Sequence, residues 1–255
     1  MAIFKSGNPT LSQKIFDRSA SIEANMQGTM SVRGTINKFG FLLLMVVAGA
    51  VCNWHLFQEN NRGLMSTLMM VGFIGGFIIA MIIVFKQSWA AYLAPLYGLL
   101  EGLALGGISA VLNEGFAKSY PGLVMQAVLL TFGVAFAMFL LYNFRIIKAT
   151  ERFKAVMFSA MLGIAVFFLI TWILSLFGVS VSFLYDNSML SIGISLFLVA
   201  IAALNLILDF DMIERGAEMG APKYMEWYGA FGLMVTLVWL YLEILRLLSK
   251  TASNK

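Results

Sequence analysis

The chain has 255 residues, of which 60% are hydrophobic and only 12% are charged, and its mean hydropathy is +0.88. Soluble domains carry about 25% charged residues, so this composition excludes a soluble globular protein and indicates apolar surface that faces a lipid bilayer. The formal net charge of +4 follows the connecting segments, and it does not indicate a nucleic-acid-binding surface.

The start of the chain is polar. Residues 1–38 are basic and lack a long apolar run, which predicts a cytoplasmic N-terminal tail. Since no short apolar segment there is followed by a small-residue cleavage site, we expect no removable signal peptide. The remaining domains are then a helical transmembrane domain over residues 39–248 and a short C-terminal tail over residues 249–255.

Seven apolar stretches are long enough to cross a membrane, because about 20 apolar residues span the hydrocarbon core as a helix. Each has helical length, and none alternates as a strand of a membrane barrel does. We therefore predict an all-α membrane protein, a seven-transmembrane helix bundle in which short connections make neighbouring spans antiparallel. The predicted spans are Phe39–Phe57, Leu64–Phe85, Trp89–Leu112, Leu123–Phe144, Ala155–Val179, Met189–Leu208 and Trp227–Leu248.

The distribution of Lys and Arg predicts the orientation. Most of these residues fall in the segments that lie on the cytoplasmic side if the N-terminus is inside, as cytoplasmic loops require. The prediction is a cytoplasmic N-terminus and an external C-terminus. The basic C-terminal end, with Arg246, Lys250 and Lys255, argues against it.

Small residues recur every four positions in two spans. At this spacing they lie on one ridge of a helix, where they allow helix backbones to approach closely in lipid. Helix packing is one interpretation of the ridge, and a sliding seam for gating is the other. Span 3 has Ala94, Gly98, Gly102, Gly106 and Ala110, and span 2 has Gly72, Gly76 and Ala80.

Three acidic residues lie within hydrocarbon-length stretches: Glu101, Asp209 and Glu243. A carboxylate at membrane depth is costly unless it is protonated, paired or hydrated, and such residues often mark ion or proton paths. Glu101 lies near the middle of span 3, with no basic residue in reach on its own helix. It must therefore be protonated, bonded to a polar group on a neighbouring helix or exposed to a water-filled cavity.

The other two acids have polar neighbours on their helices. Asn205 lies one turn before Asp209 on the same face, and Asp209 can be an interfacial anchor or a functional carboxylate. Asp211 and Glu214 follow and are predicted to be solvated loop charges.

Glu243 lies seven residues after Thr236, on nearly the same face of span 7. Arg246, three residues beyond Glu243, could pair with it, so a structural role for Glu243 stays open.

Staggered acids at different depths are what a cation pathway needs. Ca²⁺ binds carboxylate and carbonyl oxygens, which makes Glu101 and Asp209 candidate metal ligands and Glu243, Asn205 and Thr236 candidate members of the path. Because burial favours the protonated carboxyl, and protonation removes both charge and ligand, such a path should be sensitive to pH.

Several classes are disfavoured. A retinal protein needs a lysine within a span, and a zinc hydrolase needs several His or Cys ligands. The only histidine, His55, is predicted near the end of span 1, and the only cysteine, Cys52, is predicted to be a small buried hydrophobe. No phosphate-binding loop is present. We expect no enzymatic activity and no bound cofactor.

Motifs along nearly the whole chain resemble the Bax inhibitor-1/YccA family of seven-helix membrane proteins, in its bacterial branch. The resembling segments are NPTL and MSVRGTINK near the N-terminus, APLYGLLEGLALGGISA in span 3, YPGLVMQAVLLTFGV entering span 4, LDFDMIERG after span 6 and MEWYGAFGLMVTLVWLYLEILRLLS at the end. The resemblance implies a bundle with span 7 at its centre and a pH-sensitive Ca²⁺ leak in the bacterial inner membrane.

In better-studied bacterial relatives, an aspartate on span 6 and another on span 7 share a proton and close the pore. The first maps onto Asp209, with Ile213 four residues later, but Thr236 occupies the place of the second. A glutamate that these relatives carry on span 2 is also missing. Glu101 then remains as the acid at depth that could supply a second carboxyl group.

The departure from the family pattern leaves other functions open. Family members without the aspartate pair are thought to modulate a membrane-embedded AAA protease, which makes a non-transporting regulator of membrane-protein quality control the main alternative. A proton-coupled carrier of small molecules is a third interpretation.

Overall fold

The computed structural model describes residues 28–178, 186 and 188–253. The regular elements in these residues are helices, and seven of them are long and apolar enough to cross a membrane, which confirms the predicted all-α class and the number of spans. A single 3₁₀ turn, Gln87–Trp89, precedes the third helix. The helices are α1 (Val32–Gln58), α2 (Arg62–Phe85), α3 (Ala90–Gly115), α4 (Leu123–Asn143), α5 (Glu151–Leu176), α6 (Met189–Glu218) and α7 (Met225–Ala252).

Several helices extend beyond the apolar runs because polar residues cap their ends. Ser31 accepts a hydrogen bond from the backbone N–H of Gly34, so α1 begins at Val32, inside the predicted tail. Thr150 caps α5 in the same way. The rest of the predicted tail, residues 1–27, lies outside the described residues, as does the predicted end of span 5 at Val179.

The chain forms two compact units. In the first, which comprises described residues 28–115 together with Met212–Val235, α1, α2 and α3 pack through the predicted small-residue ridges. A Cβ atom at Gly102 would overlap the carbonyl oxygen of Val46, and one at Gly72 would overlap that of Leu100. The ridge of α3 is thus a close-packing surface, as the packing interpretation predicts.

The second unit comprises described residues 116–211 and 236–253. Its core is formed by apolar side chains of α4, α5 and α6, including the fully buried Ile207 and Leu208. The ring of Phe210 stacks edge-on against that of Phe139, with 5.7 Å between centroids. These contacts hold α6 against α4 and α5 within this unit.

The seven helices differ strongly in burial. The apolar portion of α7 has the largest share of buried residues, and that of α5 has the smallest. The exposed apolar side chains of α5 are suited to contact lipid. The prediction for Cys52 was wrong, since this residue is exposed on the apolar surface of α1.

Candidate functional site

A row of buried polar side chains follows one face of α6 and one face of α7 within the second unit. We call this row the polar seam. The members on α7 are seven residues apart, so they lie on one face of that helix. On α6 the members share one face with Leu198 and Ala202, and successive residues on this face are four or three positions apart. The polar seam consists of Ser191, Ser195, Asn205 and Asp209 on α6 and Thr236, Glu243 and Lys250 on α7.

Two direct contacts join the two faces. The side-chain amide of Asn205 donates a hydrogen bond to the hydroxyl of Thr236 over 3.2 Å. Farther along, the ammonium of Lys250 donates to the hydroxyl of Ser195 over 2.9 Å. Ser195 and Asn205 are ten residues apart, so the contacts lie roughly 15 Å apart along α6. The sequence prediction placed Asn205 and Thr236 in one path, and the structure brings them into contact.

Asp209 lies one turn beyond Asn205 and is fully buried. Predicted span 6 ends at Leu208, but α6 continues for nine residues beyond Asp209 to Glu218, roughly 14 Å of helix. Asp209 is therefore well inside the helix, not at its end. A fully buried carboxylate in this position carries a high desolvation cost and needs a chemical reason.

Glu243 forms the ion pair that the sequence offered as its structural role. Its two carboxylate oxygens lie 2.9 Å and 3.1 Å from the same guanidinium nitrogen of Arg246. The side chain of Glu243 is buried, whereas that of Arg246 is half-exposed. The pair neutralises the buried carboxylate, so Glu243 has less need of a passing cation than an unpaired acid would have.

Glu101 belongs to the first unit and is half-buried on α3. Its carboxylate lies directly over Gly76 of α2, where an added Cβ atom would be 3.0 Å from one of its oxygens. Tyr97, one turn earlier, is buried with its ring against that of Phe231. Among the residues that the structure describes, none forms a hydrogen bond or ion pair with the Glu101 carboxylate.

The predicted Ca²⁺ ligands Glu101 and Asp209 belong to different compact units of the chain. No group of three or more His, Cys, Asp or Glu side chains that could hold a metal ion occurs among residues 28–178, 186 and 188–253. The only histidine, His55, is exposed and lies 3.6 Å from Glu59.

Two buried charges differ from the sequence prediction. Asp211 was expected to be a solvated loop charge, but it is buried in α6 and forms an ion pair with Lys154 of α5 at 3.1 Å. Lys154, which lies just before predicted span 5, is itself buried within α5. This prediction was wrong because helical structure and tertiary packing extend past the apolar runs.

Lys250, Ser191 and Ser195 were also missed as site residues. Lys250 was assigned to the C-terminal tail, because the apolar run ends at Leu248. One signal was present in the sequence. Thr236, Glu243 and Lys250 are spaced by seven residues, which places all three on one face of a long helix.

A second polar cluster lies in the first unit, where α7 begins. Glu226 is fully buried and accepts hydrogen bonds from the backbone N–H and the hydroxyl of Ser31, both over 2.9 Å. Lys223 donates to it over 2.8 Å, and Lys38 of α1 also forms an ion pair with it. The cluster holds the N-terminal cap of α1 against the first turn of α7.

The helices and their buried polar residues show the class of this protein. Seven apolar helices with polar residues on buried faces make this a multi-pass helical membrane protein. The chain matches the family described as Bax inhibitor 1 like over residues 8–253, nearly its whole length, and it belongs to that family. No curated protein and no solved structure matches the chain.

Proposed function

We propose that this protein is a pH-sensitive cation leak of the bacterial inner membrane, with Ca²⁺ as a conducted ion. The observation that carries the proposal is the burial of Asp209 at one end of the polar seam, inside a helix of membrane-spanning length. Carboxylates are retained at such positions mainly where a cation or a proton must be bound or moved.

Each polar residue has a role in this proposal. Asp209 and Glu101 supply negative charge and oxygen ligands, while Asn205 and Thr236 supply neutral oxygens. Ca²⁺ accepts such oxygens in flexible geometries. Protonation of either acid removes its charge and blocks an oxygen, so flux should fall as the pH is lowered.

Ca²⁺ flux into liposomes reconstituted with the purified protein tests the proposal. We expect Asp209→Asn combined with Glu101→Gln to lower the flux by about tenfold or more. The reason is that a unit charge within 4 Å of an ion contributes about 4 kcal/mol at an effective dielectric constant of 20, well above the 1.4 kcal/mol that corresponds to a factor of ten. The same double substitution should remove the dependence of flux on pH.

Glu114→Gln is the matched control, because Glu114 is an exposed acid whose ion pair with Arg62 lies on the surface. It should leave flux within about twofold of the wild type, since exposed ion pairs contribute little. Unchanged flux in the double variant would remove both acids from the mechanism. Flux no faster than in protein-free liposomes would exclude conduction by this protein.

The contact between Asn205 and Thr236 favours a second candidate function. It is a neutral hydrogen bond at the place where the resemblance puts the second aspartate of a proton-sharing pair. A protein without that pair suits the alternative role of a non-transporting regulator that binds a membrane-embedded AAA protease.

Truncation of the N-terminal tail tests this second function. Deleting residues 2–27 leaves Ser31 and Lys38, which hold Glu226, in place. We expect an ATP-dependent membrane protease to co-purify with the full chain and to be lost, by about tenfold or more, from the truncated chain. Equal recovery of that protease with both chains, or its absence from both, contradicts a tail-mediated regulator.

A further inference from the structure

The end of the polar seam nearest the C-terminus contains a buried ammonium group. Lys250 is 7% exposed, and its Nζ lies 2.9 Å from the hydroxyl oxygen of Ser195 and 3.4 Å from the carbonyl oxygen of Ser191. Both serines are buried. Hydroxyl and carbonyl oxygens are also the groups that replace the hydration shell of a metal cation. The ammonium therefore occupies a position where a conducted cation would find oxygen ligands.

Two charged residues precede Lys250 on its own helix. Arg246 is four residues earlier on α7 and forms an ion pair with Glu243. Because Arg246 is paired with Glu243, these two residues carry no net charge together. The contacts that α6 makes with the ammonium come from neutral oxygens of Ser191 and Ser195.

Lysine is suited to a reversible contact of this kind. Its ammonium is a compact charge with three donors on a flexible four-carbon chain, and it can leave one set of oxygens and return without a change in the backbone. In helices, long side chains also point towards the N-terminus, which directs Lys250 back along α7 into the polar seam. The side chain can therefore act as a tethered competitor for the position of a free cation.

We infer that Lys250 is a tethered cation that closes the C-terminal end of the polar seam and limits the passage of cations through it. This inference rests on the proposed function, because it assigns the limiting contact of the same path. Removal of the ammonium charge should raise cation flux by about tenfold or more, given the size of the repulsion between two charges a few ångströms apart in a partly buried site.

Ca²⁺ flux into liposomes is compared for the wild type, Lys250→Met and Lys148→Met. Lys250→Met keeps the length of the side chain and removes its charge, while Lys148→Met removes an exposed lysine and should leave flux unchanged. Ser195→Ala removes the hydroxyl that holds the ammonium and should raise flux by a smaller factor, even if Lys250→Met fails to fold. Flux that stays at the wild-type rate in whichever of these two variants folds overturns the inference.

A second measurement separates this inference from the proposed function. Ser191→Cys keeps the backbone carbonyl that contacts Lys250, and it is introduced with Cys52→Ala, which removes the only native cysteine. We expect a cationic methanethiosulfonate to label the introduced thiol about tenfold faster when Lys250→Met is added. Equal labelling rates overturn the inference.

The two measurements distinguish failure of the proposed leak from failure of the role of Lys250. If every chain conducts no faster than protein-free liposomes while labelling still accelerates, the proposed leak is wrong and the closure by Lys250 stands as a property of the polar seam. If the wild type conducts and neither flux nor labelling changes, the leak stands and the role of Lys250 is wrong.

Discussion

Glu226→Ala is expected to destabilise the folded protein by about 3 kcal/mol, because breaking a buried ion pair by removing one partner leaves an uncompensated charge. Glu226 is fully buried and accepts two hydrogen bonds from Ser31, together with the contacts from Lys38 and Lys223. Most of the loss should come from Ser31 and Lys38. Lys223 is about half-exposed, so water can replace its contact at little cost.

The effect should be large because the cluster joins distant parts of the chain. Ser31 caps α1 and Glu226 lies in the first turn of α7, with 195 residues between them. Gly34 follows the cap, and a Cβ atom at this position would overlap the Glu226 carboxylate. The carboxylate therefore fills a space that only glycine leaves open, and alanine at position 226 would leave both a cavity and unsatisfied donors.

Thermal unfolding of the purified protein in detergent measures this loss, with Glu114→Ala as the control. Glu114 pairs with Arg62, but both side chains are about half-exposed, and removal of this pair should change stability by less than about 1 kcal/mol. Glu226→Gln should fall between the two, since the amide can keep one of the hydrogen bonds from Ser31. Equal unfolding midpoints for Glu226→Ala and Glu114→Ala would mean that the cluster contributes nothing beyond a surface pair.

The sequence was sufficient to predict the helices because their main cause is local. A run of about 20 apolar residues can satisfy its backbone in lipid only as a helix, and this condition identifies all seven spans. The ridge of Gly98, Gly102 and Gly106 was predictable for the same reason, since the four-residue spacing alone puts these glycines on one face. What the spacing could not reveal was the partner, which is the backbone of α1 at Val46 and Ala50.

The polar contacts were less predictable, because they join residues that are far apart in the sequence. Asp211 was expected in a solvated loop, yet it is buried beside Lys154, 57 residues earlier. The contact between Lys250 and Ser195 spans 55 residues. Apolar runs end where charges begin, so a charge just beyond a run is assigned to solvent unless its helical register is examined. Arg246, three residues from Glu243, was predictable because that pair is local.

Gly102→Ala is expected to destabilise the first unit by about 1–3 kcal/mol, the usual cost of overpacking a well-packed interface. The added methyl group would overlap the carbonyl oxygen of Val46 and approach the backbone of Ala50. Backbone atoms cannot rotate away as a side chain can, so α1 and α3 would have to separate along their whole contact. The neighbouring positions Gly98 and Gly106 meet the same helix and would lose their contacts too.

Gly40→Ala is the control, because it lies on α1 in the same unit and an added Cβ atom there meets nothing within 4 Å. It should be neutral or stabilising by about 0.5–1 kcal/mol, since alanine favours the helix over glycine. The same gain in helix preference applies at position 102. A net loss of stability in Gly102→Ala would therefore mean that the cost of steric overlap exceeds this gain. Unfolding midpoints test this difference. If Gly102→Ala is as stable as Gly40→Ala and changes Ca²⁺ flux, α1 and α3 can move apart without loss of stability, and the ridge is a gating seam.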